Sequence, residues 1–143
     1  MKPKKEWLYS NKLKHHQCPV MCDENGKIIK FKFLTKKKPP SGVYIYVIRE
    51  SEPERIYIHP DSEPAYNCET GKVETVHHNC LAQEQNIICG GDIEFYEDVH
   101  GIETRIVKVS NASGHYYPHE DCLEYVTQLL TKMRYYVIDY YSF

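Results

Sequence analysis

The residues with the clearest chemical potential are imidazoles and thiols gathered at short spacings: His77, His78 and Cys80 in one run, His115 in a second, and His119 with Cys122 in a third. An imidazole gives or takes a proton near neutral pH, and a thiol beside an imidazolium ionises more readily to a nucleophilic thiolate. His78 and Cys80 are two apart, so on a strand they would share a face. Cys80 is thereby a candidate nucleophile. Residues 110–118, reading SNASGHYYP, place Gly114, His115, two tyrosines and a helix-starting proline between a strand and a helix. Backbone N–H groups at the start of that helix would favour an anionic group such as phosphate, with His115 standing just ahead of them. His115 is the leading candidate for an acid, a base or a phosphate contact. The competing reading is a corner histidine whose ring nitrogens tie the turn to the sheet.

The same cysteines and histidines invite a zinc site, but no CxxC pair occurs, and Cys18 and Cys22 enclose three residues including Pro19. No metal centre is expected. The basic N-terminus is interrupted by Glu6, Asn11 and Lys12 before an apolar segment can form, so no Sec-type signal is read there. A chain made in a cytoplasm keeps its thiols reduced, and Cys80, Cys89 and Cys122 are then expected as small buried hydrophobes rather than as disulfide partners.

The elements that must position these groups are mostly strands. Ile29, Phe31 and Phe33 alternate with Lys30 and Lys32, the period of a half-buried strand. Residues 43–48 form a β-branched and aromatic run fit for a central strand, and residues 55–59 resume the pattern to close an antiparallel hairpin. Residues 60–72 are polar and turn-rich and read as a loop or insertion. Further strands are expected at 92–96 and 102–109. After Pro118, Leu123, Val126, Leu129, Leu130 and Met133 recur at helical spacing, with Glu120, Asp121 and Glu124 early and Lys132 and Arg134 late, the favourable sense for the helix dipole. Residues 135–141 return to aromatic and β-branched types. The expected fold class is α+β: a mainly antiparallel sheet with one long amphipathic helix near the C-terminus.

The chain has 143 residues and a formal charge of -2, enough for one compact unit. Its apolar share of 41% excludes wholesale disorder, and its apolar runs are far shorter than the roughly 20 residues of a spanning helix, so no membrane span is expected. Charge is uneven. Residues 1–38 hold eleven lysines against Glu6, Asp23 and Glu24, a net of +8 that leaves -10 for the remainder. Residues 1–42 therefore read as a basic arm with the first strand, and 43–143 as the α+β domain. The acidic body would repel a phosphate backbone, so nucleic acid is not the expected partner.

The motif SGHYYP at 113–118, with the preceding IVKVSNA, resembles a motif shared by plant IQ-motif calmodulin-binding proteins and C-terminal domains of bacterial polymorphic toxins and effectors. Upstream, VHHNCLAQEQNIICGGDIEF is similar to a pattern in that family that begins H-H-S-S-F-L; His77, His78, Gly91 and the strand around Ile93 match it. The likeness covers about residues 43–134. Asn79 and Cys80 stand where the family has two serines, Gln83-Glu84-Gln85 replaces a small Ala-Gly-Gly loop, and Asp92 follows the matching glycine. No IQ-type basic helix is present.

This resemblance implies a bacterial effector or toxin-like protein that leaves its cell without a Sec signal and acts on a eukaryotic host protein. Transfer of a nucleotide group, AMP from ATP or ADP-ribose from NAD, is the implied reaction. His115, His78, Cys80 and Glu120 would be its catalytic groups, Glu120 orienting His115 or Tyr116. Ser113, Gly114, Tyr116, Gly91 and Asp92 would hold the nucleotide. The alternative is a non-enzymatic protein-binding effector module, with the C-terminal tyrosines as part of its surface.

Overall fold

The computed structural model describes residues 8–13 and 17–141. Lys2, Lys4, Lys5 and Lys14 of the basic arm lie outside the described residues.

The main sheet grows outward from β3 (Gly42–Arg49), whose alternation sends Tyr44, Tyr46 and Ile48 to one face and Ile45 and Val47 to the other. Both sets are buried, which is why the run carries no alternating polar residues. Antiparallel partners flank it: β4 (Tyr57–Pro60) on one side and β7 (Ile87–Phe95) on the other. The β3–β4 hairpin is the one expected from the sequence. Beyond β4 lies β2 (Lys32–Phe33), and beyond β7 lie β8 (Ile106–Ser110) and β9 (Tyr136–Tyr141), giving the order β2-β4-β3-β7-β8-β9. The last pair, β8 and β9, is parallel. A parallel pair needs a crossover, and α2 (Cys122–Lys132) supplies it.

Helix α2 covers one face of the sheet. Leu123, Val126, Leu129 and Leu130 pack there against Tyr44, Tyr46, Ile48, Ile93, Phe95, Val107 and Val109. Burying each such aliphatic side chain is worth about 1.5–3 kcal/mol. The turn leaving the helix is held by Arg105, which donates to the carbonyls of Met133 at 2.7 Å, Arg134 at 2.8 Å and Lys36 at 2.9 Å and stacks 4.1 Å over the Tyr135 ring.

The opposite face carries a second core of Ile45, Val47, Tyr57, Ile87 and Tyr116, roofed by the short helix α1 (His78–Leu81). Alongside it lies a small antiparallel sheet in the order β1-β5-β6, made of β1 (Met21–Cys22), β5 (Ala65–Asn67) and β6 (Val73–Glu74). The segment expected as a loop at 60–72 thus contains a strand. Met21, Cys22 and Leu34 are core residues, so the described part of 1–42 packs into both cores.

Two expectations are corrected. The fold is β-rich rather than α+β with a long helix: nine strands are described against two helices, one of four residues and one of eleven. The helical periodicity near the C-terminus is real but spans only three turns, because residues 119–121 form a turn and Arg134, at φ 65°, redirects the chain into β9. The cysteines are not free thiols either. All six are paired, as Cys18–Cys80, Cys22–Cys68 and Cys89–Cys122, with Cα separations of 5.1, 5.4 and 5.6 Å. The sequence reading failed here because it took the redox compartment from the N-terminus, whereas the pairing depends on which strands the fold brings together.

Candidate functional site

The face roofed by α1 gathers imidazoles and carboxylates from four separate stretches of chain. His77 precedes α1 in extended conformation (φ -98°, ψ 170°) and is exposed, while His78 opens the helix and is buried. His115 comes from the corner between β8 and α2 and is also buried; its ring centroid lies 5.0 Å from that of His77, at an interplanar angle of 39°. Asp92 follows Gly91 on β7, and Asp61 follows the end of β4.

Short-range geometry fixes these positions. The His78 Nε2 atom lies 2.9 Å from the Gly91 carbonyl oxygen. A carbonyl only accepts, so Nε2 carries the proton and Nδ1 is the acceptor nitrogen. Gly91 has no room for a side chain: a Cβ there would come 2.0 Å from the Ser110 carbonyl oxygen. That close approach lets the end of β8 fold over β7, and Ser110 Oγ accepts from the Asp92 N–H at 3.0 Å and the Ala112 N–H at 3.2 Å. Within the corner, Ser113 Oγ accepts from the Tyr116 N–H at 3.3 Å, and the Tyr117 N–H donates to the Ser113 carbonyl at 3.0 Å. The Tyr116 ring is wholly buried, and its hydroxyl donates to the Gln85 carbonyl at 3.0 Å, tying the corner to the loop after α1. Arg49 donates twice to the Leu81 carbonyl, at 2.9 and 2.7 Å, and closes the C-terminal end of α1.

Electrostatics follow from this burial. Burial pushes the His78 imidazole below the ordinary histidine pKa; the Gly91 bond opposes it, the charges of His115 and His77 add to it, and Asp61 opposes it. Asp92 is raised above the ordinary carboxyl range by burial and then by the charge of Asp61. Burial thus favours the neutral form of the His78 imidazole and the protonated form of the Asp92 carboxyl, the kind of shift found where side chains exchange protons.

The sequence-predicted set is partly assembled. His77, His78 and His115 come together, and the Gly91 carbonyl meets His78 Nε2; Asp92 is the next residue on β7 and feels the charge of Asp61. Cys80 is removed from it: its sulfur is bonded to Cys18, so it is not a thiolate nucleophile, and this candidate is withdrawn. The corner does not run directly into a helix, because α2 begins at Cys122, and it is His119 whose Nδ1 accepts from the Asp121 N–H, at 3.2 Å. The expected phosphate cradle of helix N–H groups behind His115 is therefore not formed. Glu120 is exposed in the turn before α2, and Gly114 is exposed at the corner. Tyr116 and Ser113 serve the corner's own hydrogen bonds. Sequence reasoning missed Asp61, whose only signal was a place in a polar loop, and Glu84, whose carboxylate accepts from Asn79 Nδ2 at 2.7 Å and the Cys18 N–H at 3.2 Å. Among the described residues, no group of three or more histidines, cysteines or carboxylates is arranged to hold a metal ion, and no helix is long and apolar enough to cross a membrane.

A cavity of about 610 Å³ lies elsewhere, between Phe31, Tyr44, His59, Glu63 and Tyr66. Comparison with family models, curated proteins and solved structures finds no match to this chain.

Proposed function

We propose that this is an effector that acts on a eukaryotic host component through acid–base chemistry at the His77–His115 pair. The observation that carries the reading is the meeting of three imidazoles, His77 and His78 from one part of the chain and His115 from another, on one sheet face. Burying ionisable groups together costs stability that an apolar cluster would not, and such clusters mark sites of chemistry. His77 is the exposed member and meets the substrate; His115 stacks behind it. The 5.0 Å between the rings leaves no space for a substrate between them, so both act on one side of the reacting group.

The resemblance of SGHYYP and the His77-His78 run to the toxin and effector family supports nucleotide-group transfer, from ATP or NAD to a host protein, as the reaction. In that reaction the pair removes a proton from the acceptor side chain as that side chain bonds to the α-phosphorus of ATP or the anomeric carbon of NAD, and pyrophosphate or nicotinamide leaves as the old bond breaks. Three disulfides favour a working compartment that is oxidising, since such bridges form and persist outside the reducing cytosol. Calorimetry with ATP and with NAD, followed by His115→Ala in a transfer assay on host extract, tests the reading. Saturable nucleotide binding and loss of transfer in the variant support it; neither binding nor any change in the variant overturns it.

One observation favours the non-enzymatic alternative. Strand β9 ends the sheet, and Tyr136 and Ile138 stand exposed on it, with Ile106 exposed at the position paired with Tyr136. An apolar strand at a sheet edge suits the addition of a strand from a partner.

A further inference from the structure

Helix α1 carries His78 and follows His77, yet it has only four residues, too few to persist without outside support. Besides Arg49 and Gly91, its support comes from an earlier part of the chain. Cys80, in the middle of the helix, is bonded to Cys18. Beside that bridge, the Cys18 N–H donates to Glu84, the same carboxylate that accepts from Asn79 of α1. Residues 8–13 meet the other side of the site: Tyr9 exchanges two backbone hydrogen bonds of 2.8 Å with Ile87, and the Lys12 N–H donates to the His115 carbonyl. The covalent link at Cys18 thus ties the helix that carries His78 and follows His77 to the N-terminal segment whose Lys12 N–H meets the His115 carbonyl.

The three bridges differ in exposure. Cys89 and Cys122 are completely buried between β7 and α2. The Cys22–Cys68 bridge joins β1 to the chain just after β5, away from α1. Cys18 is half-buried and Cys80 buried, so Cys18 is the less covered partner of the bridge that reaches the site.

We propose that Cys18–Cys80 is a redox-sensitive tie that holds the His77–His115 pair together in an oxidising compartment and releases it where thiols are abundant. The inference rests on the imidazole pair being the site. A small thiolate of the cysteine-peptide class attacks Cys18 Sγ; the sulfur–sulfur bond breaks, and Cys80 leaves as a thiolate and takes a proton. A second small thiolate attacks the mixed disulfide, giving the oxidised small-molecule disulfide and the Cys18 thiolate, which is protonated in turn. Two electrons pass from two small thiols to the protein, and their two protons end on Cys18 and Cys80. With the bridge open, α1 loses its covalent tie to the N-terminal segment and the ring pair separates.

The test reads the rings directly. Wild-type protein is titrated with reduced glutathione while alkylation and mass spectrometry report which bridges have opened. NMR follows the cross-relaxation between the His77 and His115 ring protons in the same samples. The expected result is loss of that signal in step with alkylation of Cys18 and Cys80, with Cys89 and Cys122 still protected and the circular dichroism of the sheet retained. Cys18→Ser with Cys80→Ser should lack the signal, and Cys22→Ser with Cys68→Ser should keep it. Persistence of the signal after Cys18 and Cys80 are alkylated overturns the proposal, as does its loss in step with Cys68 instead. If the first double variant does not fold, the wild-type titration decides alone. Transfer activity, where present, should fall about a hundredfold on opening the bridge, the scale of a small misplacement of catalytic groups. The ring signal does not depend on turnover, so an inert site and an absent tie give different results.

Discussion

His78 donates its Nε2 proton to the carbonyl of Gly91, and Gly91 is the one position on β7 where a Cβ would collide with the end of β8, 2.0 Å from the Ser110 carbonyl oxygen. The helix that bears the histidine and the corner that bears His115 are therefore both referenced to the same glycine. Replacing Gly91 with Ala forces the backbone of β8 away and disturbs the carbonyl that orients His78. The expected loss is about 1–3 kcal/mol, typical of overpacking, measured as a lower urea midpoint with an unchanged slope. An unchanged midpoint would contradict the close approach.

Acid should weaken the fold through its histidines. Burial lowers the proton affinity of both His78 and His59 in the folded protein. The unfolded chain binds these protons below about pH 6.5 while the folded chain does not, so their contribution is complete above that pH and is lost as pH falls below it. Asp92 works in the opposite sense: its raised carboxyl pKa favours the folded state fully below about pH 3.9 and is lost as pH rises through the raised value. Urea midpoints at about pH 7.5 should exceed those at about pH 5.5, and His78→Gln should reduce the difference. Equal midpoints would show that these imidazoles are not buried neutral.

The buried Cys89–Cys122 bridge closes a separation of 33 residues between β7 and α2. Replacing both by Ser removes a constraint on the unfolded chain worth about 3–4 kcal/mol and leaves two polar groups in the larger core. Thermal unfolding of that double variant should show the largest loss among the three bridge variants. A smaller loss than for the Cys22–Cys68 pair, whose Cys68 is exposed, would contradict the burial of the bridge.

Arg105 supports the turn between α2 and β9 with three carbonyl partners and an aromatic stack. Arg105→Ala should cost about 2–3 kcal/mol, and Lys should not restore it, since an ammonium cannot reproduce the planar fork. Hydrogen exchange should localise the effect to β9. Full rescue by Lys would reduce the role of Arg105 to simple charge.

Much of the sheet was legible in the residues themselves. The unbroken β-branched and aromatic run at 43–48 and the polar break before residue 55 specify a hairpin by local chemistry, and β3 and β4 form it. The last helix was overread, because apolar spacing continues to Met133 while the turn at 119–121 and the left-handed Arg134 limit the regular helix to Cys122–Lys132. At the site, His77, His78 and His115 were visible because histidine is chemically distinctive. Asp61 was not, since nothing local separates a carboxylate whose charge reaches a buried imidazole from one that acts on water alone. The disulfides were beyond sequence reasoning for a related reason: Cys18 and Cys80 are 62 positions apart and meet only because α1 folds onto the second core.

The most direct test of the account is the rate of label transfer from ATP or NAD to host protein by the wild type, His77→Gln, His115→Gln and the double variant, each confirmed as folded. The predicted result is that each single variant loses nearly as much activity as the double, the behaviour of two groups acting as one unit. Full activity in the folded double variant would contradict it.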